Sequence, residues 1–422
     1  MEGISKALVL ERLLPRLRKL VEGGGEDGVE VDLMRTLNAT TMDFVTAWLF
    51  GLKNGSKLLN DDVKLSWWLD VFLRRRPYGF FTAELPFLEG WLEWFGIKLA
   101  PDHVAVANKE IGEWVMEMCD NADADLVAIH EKDAKVEAAD VPVVWGQLRD
   151  ASLDRKEAKS LHTGFDERML AASDMWDHLT AGFETSGITL SYVFYELSRN
   201  PRMQSALRAE LRTLQPAISL QSESTSTHSQ DLPSPRSIDA LPLLDAILLE
   251  TLRLHAAIPG PQPRITPAQG CIIGGQTLTD GGFYIPAGVR VSSQAYSLHR
   301  DPSIFINPES WNPSRWLSNP TSILKHNTDT TTATTDVTST TREQRLKLMH
   351  RAFWSFSSGS RMCIGSNFAT QEMKLVIAAV VSCFEVVELG DQRVDEAMVQ
   401  EDAYTAQPVG GELRVRLKAV GH

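Results

Sequence analysis

The residues Phe356–Gly365, FSSGSRMCIG, hold the densest chemical signal in the chain. An aromatic precedes a glycine-bearing turn, an arginine stands two residues before a cysteine, and a glycine and a helical pattern follow. A cysteine at a helix N-terminus is a candidate thiolate, because backbone N–H groups and the helix dipole favour negative sulfur. Gly359 and Gly365 permit close approach of backbone to a flat ligand. Arg361 can aim its guanidinium at a carboxylate on that ligand. The competing reading of Cys363 is an ordinary buried cysteine, the commoner fate of this side chain.

Other segments carry residue types able to act with this one. In Ala181–Thr185 (AGFET), Ala181 and Thr185 are four apart and share a helix face. Their small side chains leave room for a ligand, Thr185 offers a hydroxyl to organise water, and Glu184 can relay protons. The alternative is a seam of small residues for helix packing. Glu250 and Arg253 form ExxR on a helical pattern, which on a surface contributes only ~0.2–0.5 kcal/mol. Trp311–Trp316 (WNPSRW) adds Arg315, Pro259–Arg264 (PGPQPR) adds Arg264, and His299–Pro302 (HRDP) forms a turn whose histidine has no assigned role.

Together these segments resemble the cytochrome P-450 family. FSSGSRMCIG matches that family's cysteine loop, FxxGxRxCxG, at each fixed position, and AGFET is similar to its [AG]GxxT motif. ExxR and PxRW then stand between the two in the family's order. The resemblance implies a heme b cofactor whose iron Cys363 ligates as thiolate, pushing electron density to favour O–O cleavage. It places Phe356 beside the sulfur, Arg361 and Arg264 on the propionates, and Gly359, Gly365, Ala181 and Gly182 against the cofactor. Thr185 and Glu184 are then the catalytic pair, delivering the protons that oxygen activation consumes. Glu250, Arg253 and Arg315 become one buried charge network behind the cysteine loop. Removing one partner from such a network costs ~3–5 kcal/mol.

The implied activity is a monooxygenase, inserting one oxygen atom from O2 into an apolar organic substrate in a hydroxylation-type reaction. Electrons come from NADPH through a reductase, and the pocket is expected near Phe183, Ala256–Ile258 and Ala406–Val409. The details look most like fungal microsomal-type members acting in secondary metabolism or on xenobiotics. The alternative, from a different class, is a non-catalytic remnant: a helical scaffold that does not hold haem productively.

Positioning these residues requires a mainly α fold with small β-sheets. Apolar spacing predicts helices over 4–21, 31–50, 61–73, 84–95, 101–135, 165–198 and 237–255, with another starting near Ser366. Strand patterns are confined to the C-terminal half, at 270–273, 283–285, 288–292, 384–388 and 413–417. The whole chain reads as a single domain, with Ser/Thr-rich stretches at 216–236 and 317–341 expected as disordered loops. The resemblance runs from about Asp32 to Leu417, so the expectation is a P-450 fold lacking its N-terminal anchor, first strands and first helices.

Composition excludes several classes. With 42 basic against 55 acidic residues the net charge is −13, which disfavours nucleic acid as a partner. The longest apolar runs, such as Leu375–Phe384, fall below the ~18 residues of a membrane span. The four cysteines show no CxxC spacing. A literal GxGxxG at Gly23, Gly25 and Gly28 follows a charged helix, where Glu26 and Asp27 would repel a pyrophosphate. Two basic patches remain. Arg342–Arg351 suits an acidic reductase, or is simply a solvated loop. Arg74–Arg76 with Tyr78, Phe80 and Phe81 suits either peripheral membrane contact or core packing with a basic rim. The expected location is the endoplasmic reticulum membrane surface, as for the family, or the cytoplasm.

Overall fold

Helix starts in this protein follow capping residues that are visible in the chain. The structure, a computed structural model, describes residues 1–78, 85–132, 135–157, 167–220, 231–275, 277, 280–319 and 341–420. The chain divides into two compact units, Met1–Gly187 with Gln215–Pro233 and Leu417–His422, and Ile188–Leu214 with Ser234–Arg416.

The first unit opens with α1 (Glu2–Lys6), a π-helical stretch Ala7–Leu13, and α2 (Leu14–Val21). Pro15 has no N–H to return to the preceding turn, and wide π turns precede it. Strand β1 (Val29–Asp32) comes next, where the periodicity predicted the start of a helix. Asp32 explains the difference: its carboxylate accepts from Met34 N at 3.1 Å, so it caps α3 (Leu33–Phe50) and cannot lie within it. Asp61 caps α4 (Asp62–Arg75) in the same way. Then follow α5 (Pro86–Trp94), α6 (Asp102–Lys132), α7 (Val143–Glu157) and the long α8 (Glu167–Arg199), whose residues after Gly187 belong to the second unit. Indole rings join α4 to α6, with Trp68 5.1 Å and Trp67 5.5 Å from Trp114. These aromatic contacts explain the Trp-rich sequence of α4 better than any ligand does.

In the second unit α9 (Pro201–Leu211) presents Glu210 to the start of a neighbour. Its carboxylate accepts from Leu243 N at 2.8 Å and Leu244 N at 3.0 Å. That caps α11 (Pro242–Leu254), which is separate from the short α10 (Pro235–Asp239). A single helix over 237–255 was expected; Pro242, lacking an N–H, divides it. Strands β2 (Pro261–Ile265) and β5 (Arg290–Gln294) pair antiparallel, as do β3 (Cys271–Ile273) and β4 (Phe283–Ile285). The proline-rich β2 gave no strand signal. A short α12 (Ala295–Leu298), α13 (Arg342–Ala352) and α14 (Ser366–Cys383) complete the helical frame. The last elements are β6 (Phe384–Val387), α15 (Gln392–Ala397) and β7 (Arg414–Ala419). Leu375 through Val381 on α14 are all buried, making it the core helix of this unit.

Of the two expected loops, residues 221–230 and 320–340 lie outside the described residues. Their edges are ordered: Ser234 caps α10, and Thr341 caps α13 through a capping box with Gln344.

Candidate active site

The cysteine loop is shaped first by its own backbone. Between α13 and α14 the chain turns with Ser357 at φ 59° and Gly359 at φ 68°. Cys363 N then donates to Phe356 O at 2.9 Å, and Met362 N to Gly359 O at 3.1 Å. Helix α14 begins at Ser366 with Gly365 as its N-cap, so Cys363 sits just ahead of the helix N-terminus. An added Cβ at Gly359 would meet nothing within 4 Å, so glycine is required there by conformation rather than by space. At Gly365 the nearest atom to an added Cβ would be Cys363 Sγ at 3.9 Å, and the missing side chain keeps the flank of the sulfur open.

Cys363 is exposed, and so are Met362 (56%) and Ile364 (87%) on either side. The ordinary buried-cysteine reading therefore applies elsewhere: burial pushes the Cys119 and Cys383 thiols up to about 12, which keeps both neutral. Arg361 is exposed and forms no ion pair among the described residues. Arg264, on β2 opposite Val291, is also exposed and donates only to Pro263 O at 2.8 Å. A soft sulfur with apolar neighbours, beside open backbone, suits a flat apolar ligand. Two exposed guanidiniums on the same unit, without a carboxylate partner among the described residues, suit acidic groups on it. Among the described residues no three His, Cys, Asp or Glu side chains gather as metal ligands.

Next to this open loop lies a closed charge network. Arg253 holds Glu250 with two bonds, Nε to Oε2 at 2.9 Å and Nη2 to Oε1 at 2.8 Å. Arg315 Nε adds a bond to Glu250 Oε1 at 2.9 Å, Trp316 Nε1 one to Oε2 at 2.9 Å, and Asn312 N one to Oε1 at 2.8 Å. The remaining donors of Arg253 reach the carbonyls of His299, Pro308 and Ser310. The side chains of Glu250 and Arg253 have no exposed surface, and that of Arg315 has 8%. Such complete pairing is what makes buried charge tolerable. Two links run from here to the cysteine loop. Ser355 Oγ donates to Leu252 O at 2.8 Å, and His299 bridges Arg253 O and Trp354 N. His299 had no role legible in the sequence; its tandem hydrogen bonds become visible only when the turn folds against α11.

In the first unit, the α8 segment divides between two duties. Ala181 is exposed and Thr185 half-buried on a shared face, while Phe183 and Glu184 are buried. Thr185 Oγ1 donates to Ala181 O at 2.7 Å. At Gly182 an added Cβ would lie 2.7 Å from Val45 Cγ2, so the glycine lets α8 and α3 approach closely. Phe183 corrects the pocket expectation, since its ring packs 5.4 Å from Trp68 and 5.0 Å from Phe72 in the core. Ala256–Ile258 and Ala406–Val409 do meet, through Ala406 N on Ala257 O at 2.8 Å.

Glu184 is also held. Arg76 Nε stands 3.0 Å from its Oε1, with both side chains largely buried. Arg75 lies over Phe72 and Trp176, and its burial lowers its pKa against the pull of Glu184 and Asp177. Arg74 pairs with Asp70. Arg75 and Arg76 thus take part in packing while Arg74 stays exposed, and Phe80 and Phe81 lie outside the described residues. Among the exposed aromatics are Phe87 (93%), Trp91 (58%) and Trp94 (80%) on α5. In the other basic patch, Arg342 donates to Leu317 O and Ser314 O, leaving fewer outward cations than the sequence suggested. A polar cleft of about 260 Å3 lined by Tyr195, Arg199, Asp395 and Arg414 contains none of the residues expected at the site.

The sequence matches the family model described as Cytochrome P450 over residues 8–414. Among curated relatives, cytochrome P450 monooxygenase FGM1 of Gibberella zeae is 26% identical over 92% of this chain and 65% of its own length. Cytochrome P450 monooxygenases orf2 and azaI of Aspergillus niger are each 32% identical over 56% of this chain, covering 39% and 46% of their own lengths. The chain therefore matches less than two thirds of the length of these relatives. Its family model spans nearly the whole sequence, and with the cysteine loop and its ExxR network assembled in one unit, the chain belongs to the cytochrome P450 family.

Proposed function

We propose that this chain acts as a haem-thiolate monooxygenase on an apolar organic substrate, with O2 as oxygen donor and NADPH as the distant electron source through a reductase. The family's cofactor is haem bound through a cysteine thiolate. When bound, the haem supplies the oxygen-activating chemistry. The observation that carries the reading is the exposed Cys363, held at 2.9 Å from N to Phe356 O between exposed apolar neighbours. Cys363 provides the thiolate, and Phe356 packs beside it. Arg361 and Arg264 hold the propionates, and Gly359 and Gly365 let the macrocycle close on the backbone.

Thr185 and Glu184 manage protons, with Ala181 keeping the helix face beside Thr185 small. The Thr185 hydroxyl donates to Ala181 O, which holds it on that helix face. Glu184 is held in place by Arg76, whose Nε stands 3.0 Å from its Oε1. Residues Ala256–Ile258 and Ala406–Val409 line the substrate side. The relatives' origin in fungi favours secondary metabolism and the endoplasmic reticulum surface. No helix among the described residues is long and apolar enough to cross a membrane, and the exposed aromatics of α5 suit contact at its surface.

The test is one spectrum. The haem-supplied chain, reduced and exposed to carbon monoxide, should give the red-shifted Soret band of thiolate ligation. Full haem content without that band would leave the scaffold reading in its place.

A further inference from the structure

His299 neither touches the proposed ligands nor carries charge for the network, yet it is fully buried between them. Its Nδ1 lies 2.9 Å from Arg253 O, and its Nε2 2.8 Å from Trp354 N. A carbonyl can only accept and a backbone N–H can only donate. Both bonds therefore require one state of the ring, neutral with hydrogen on Nδ1. Burial, reinforced by the cations of Arg253 and Arg300, holds its pKa down to about 4, which keeps the ring in that state at neutral pH. Phe353 stacks on it at 5.5 Å with the planes 15° apart, and Phe305 closes the edge at 6.4 Å. Trp354 then passes the constraint onward, because its indole Nε1 donates to Ser358 Oγ at 2.8 Å, next to the left-handed Gly359.

We propose that His299 is the positioning residue of the cysteine loop: it is a neutral strut between the carbonyl of Arg253 and the amide of Trp354, and it sets where Cys363 is presented. The strut rests on geometry alone; only its effect on haem rests on the haem-thiolate reading above. It assigns a purpose to the adjacency of the two regions. The charge network fixes the position of α11, and the imidazole transmits that position to a loop whose tip is exposed.

Two substitutions in the full chain separate hydrogen bonding from packing. His299→Phe keeps a ring to stack on Phe353 and removes both bonds, whereas His299→Gln keeps a donor and an acceptor and removes the ring. Two readouts are taken: the share of reduced, carbon monoxide-bound haem showing the red-shifted Soret band at equal haem content, and hydrogen exchange of the Trp354 amide without haem. His299→Phe should lower that share severalfold and speed exchange at Trp354 about tenfold, as loss of one buried hydrogen bond implies. His299→Gln should restore both. Wild-type spectrum and protection in the Phe variant would overturn the proposal, as would loss of both in a folded Gln variant if the Phe variant does not fold. A wild-type chain that never shows the red-shifted band would refute the haem-thiolate reading, while exchange at Trp354 would still decide the strut.

Discussion

The cysteine loop and the Glu250–Arg253–Arg315 network stand side by side in one unit and differ in almost every physical respect. The network is sealed: each oxygen of Glu250 accepts two or more hydrogen bonds, and Arg253 has no exposed side-chain surface. The loop is open, with Cys363, Met362 and Ile364 all turned outward. Buried charge without a partner is heavily penalised, so the network tolerates almost no substitution. An exposed thiol adds little to the fold, so the loop is free to be selected for chemistry. Stability and reactivity are thus assigned to neighbouring but separate residues, with His299 and Ser355 as the connections.

That division can be broken from either side. The largest effect is expected from Cys363→Ser, which should abolish the red-shifted Soret band while leaving the urea midpoint of the haem-free chain unchanged. A drop in that midpoint would show that the loop carries the fold after all. Arg253→Met should do the reverse, destabilising the chain by ~3–5 kcal/mol in denaturation because Glu250 is left buried and unpaired. Arg253→Lys should recover only part of this, since an ammonium cannot form the two parallel bonds.

The third effect is one of pH. His299 has its pKa lowered in the folded chain, so its contribution is complete above the unfolded value near 6.5 and is lost as pH falls toward about 4. Protonation in place would force an N–H against the Trp354 amide and a cation beside Arg253 and Arg300. Between pH 7 and pH 4 the loss is on the order of 3 kcal/mol. In His299→Gln this part of the stability profile should flatten; an unchanged slope would assign it to carboxylates instead. The smallest expected effect lies in the first unit. Gly182→Ala should cost about 1–3 kcal/mol by collision with Val45, and Val45→Ala in the same chain should relieve most of it. A neutral Gly182→Ala would show that Val45 yields to the added methyl.

Much of this architecture is legible in the chain because the signals are local. The Asp61 cap, the 33-residue α8 and the run Leu375–Val381 are all properties of a few consecutive residues. The errors are local signals overruled by neighbours or misread. Apolar spacing carried a helix back to Val31, but the Asp32 carboxylate is needed as a cap. Periodicity ran through Pro242, but a ring without an N–H begins a helix there. The prolines of β2 hid a strand whose pairing partner lies far along the chain.

At the candidate site, the spacing FxxGxRxCxG made the cysteine loop legible through its resemblance to the family motif, because residue type and local turn geometry are properties of a few consecutive residues. The same was true of ExxR, whose i,i+3 spacing on a helix dictates that the two charges meet. Tertiary structure alone decided the rest. Whether Gly182 faces a ligand or Val45, whether Phe183 lines a pocket or packs on Trp68, and what His299 holds are questions about groups distant in sequence. Side-chain type limits what a residue can do. Hydrogen bonds and close packing act over only a few ångströms, so its use is fixed by neighbours that only folding supplies.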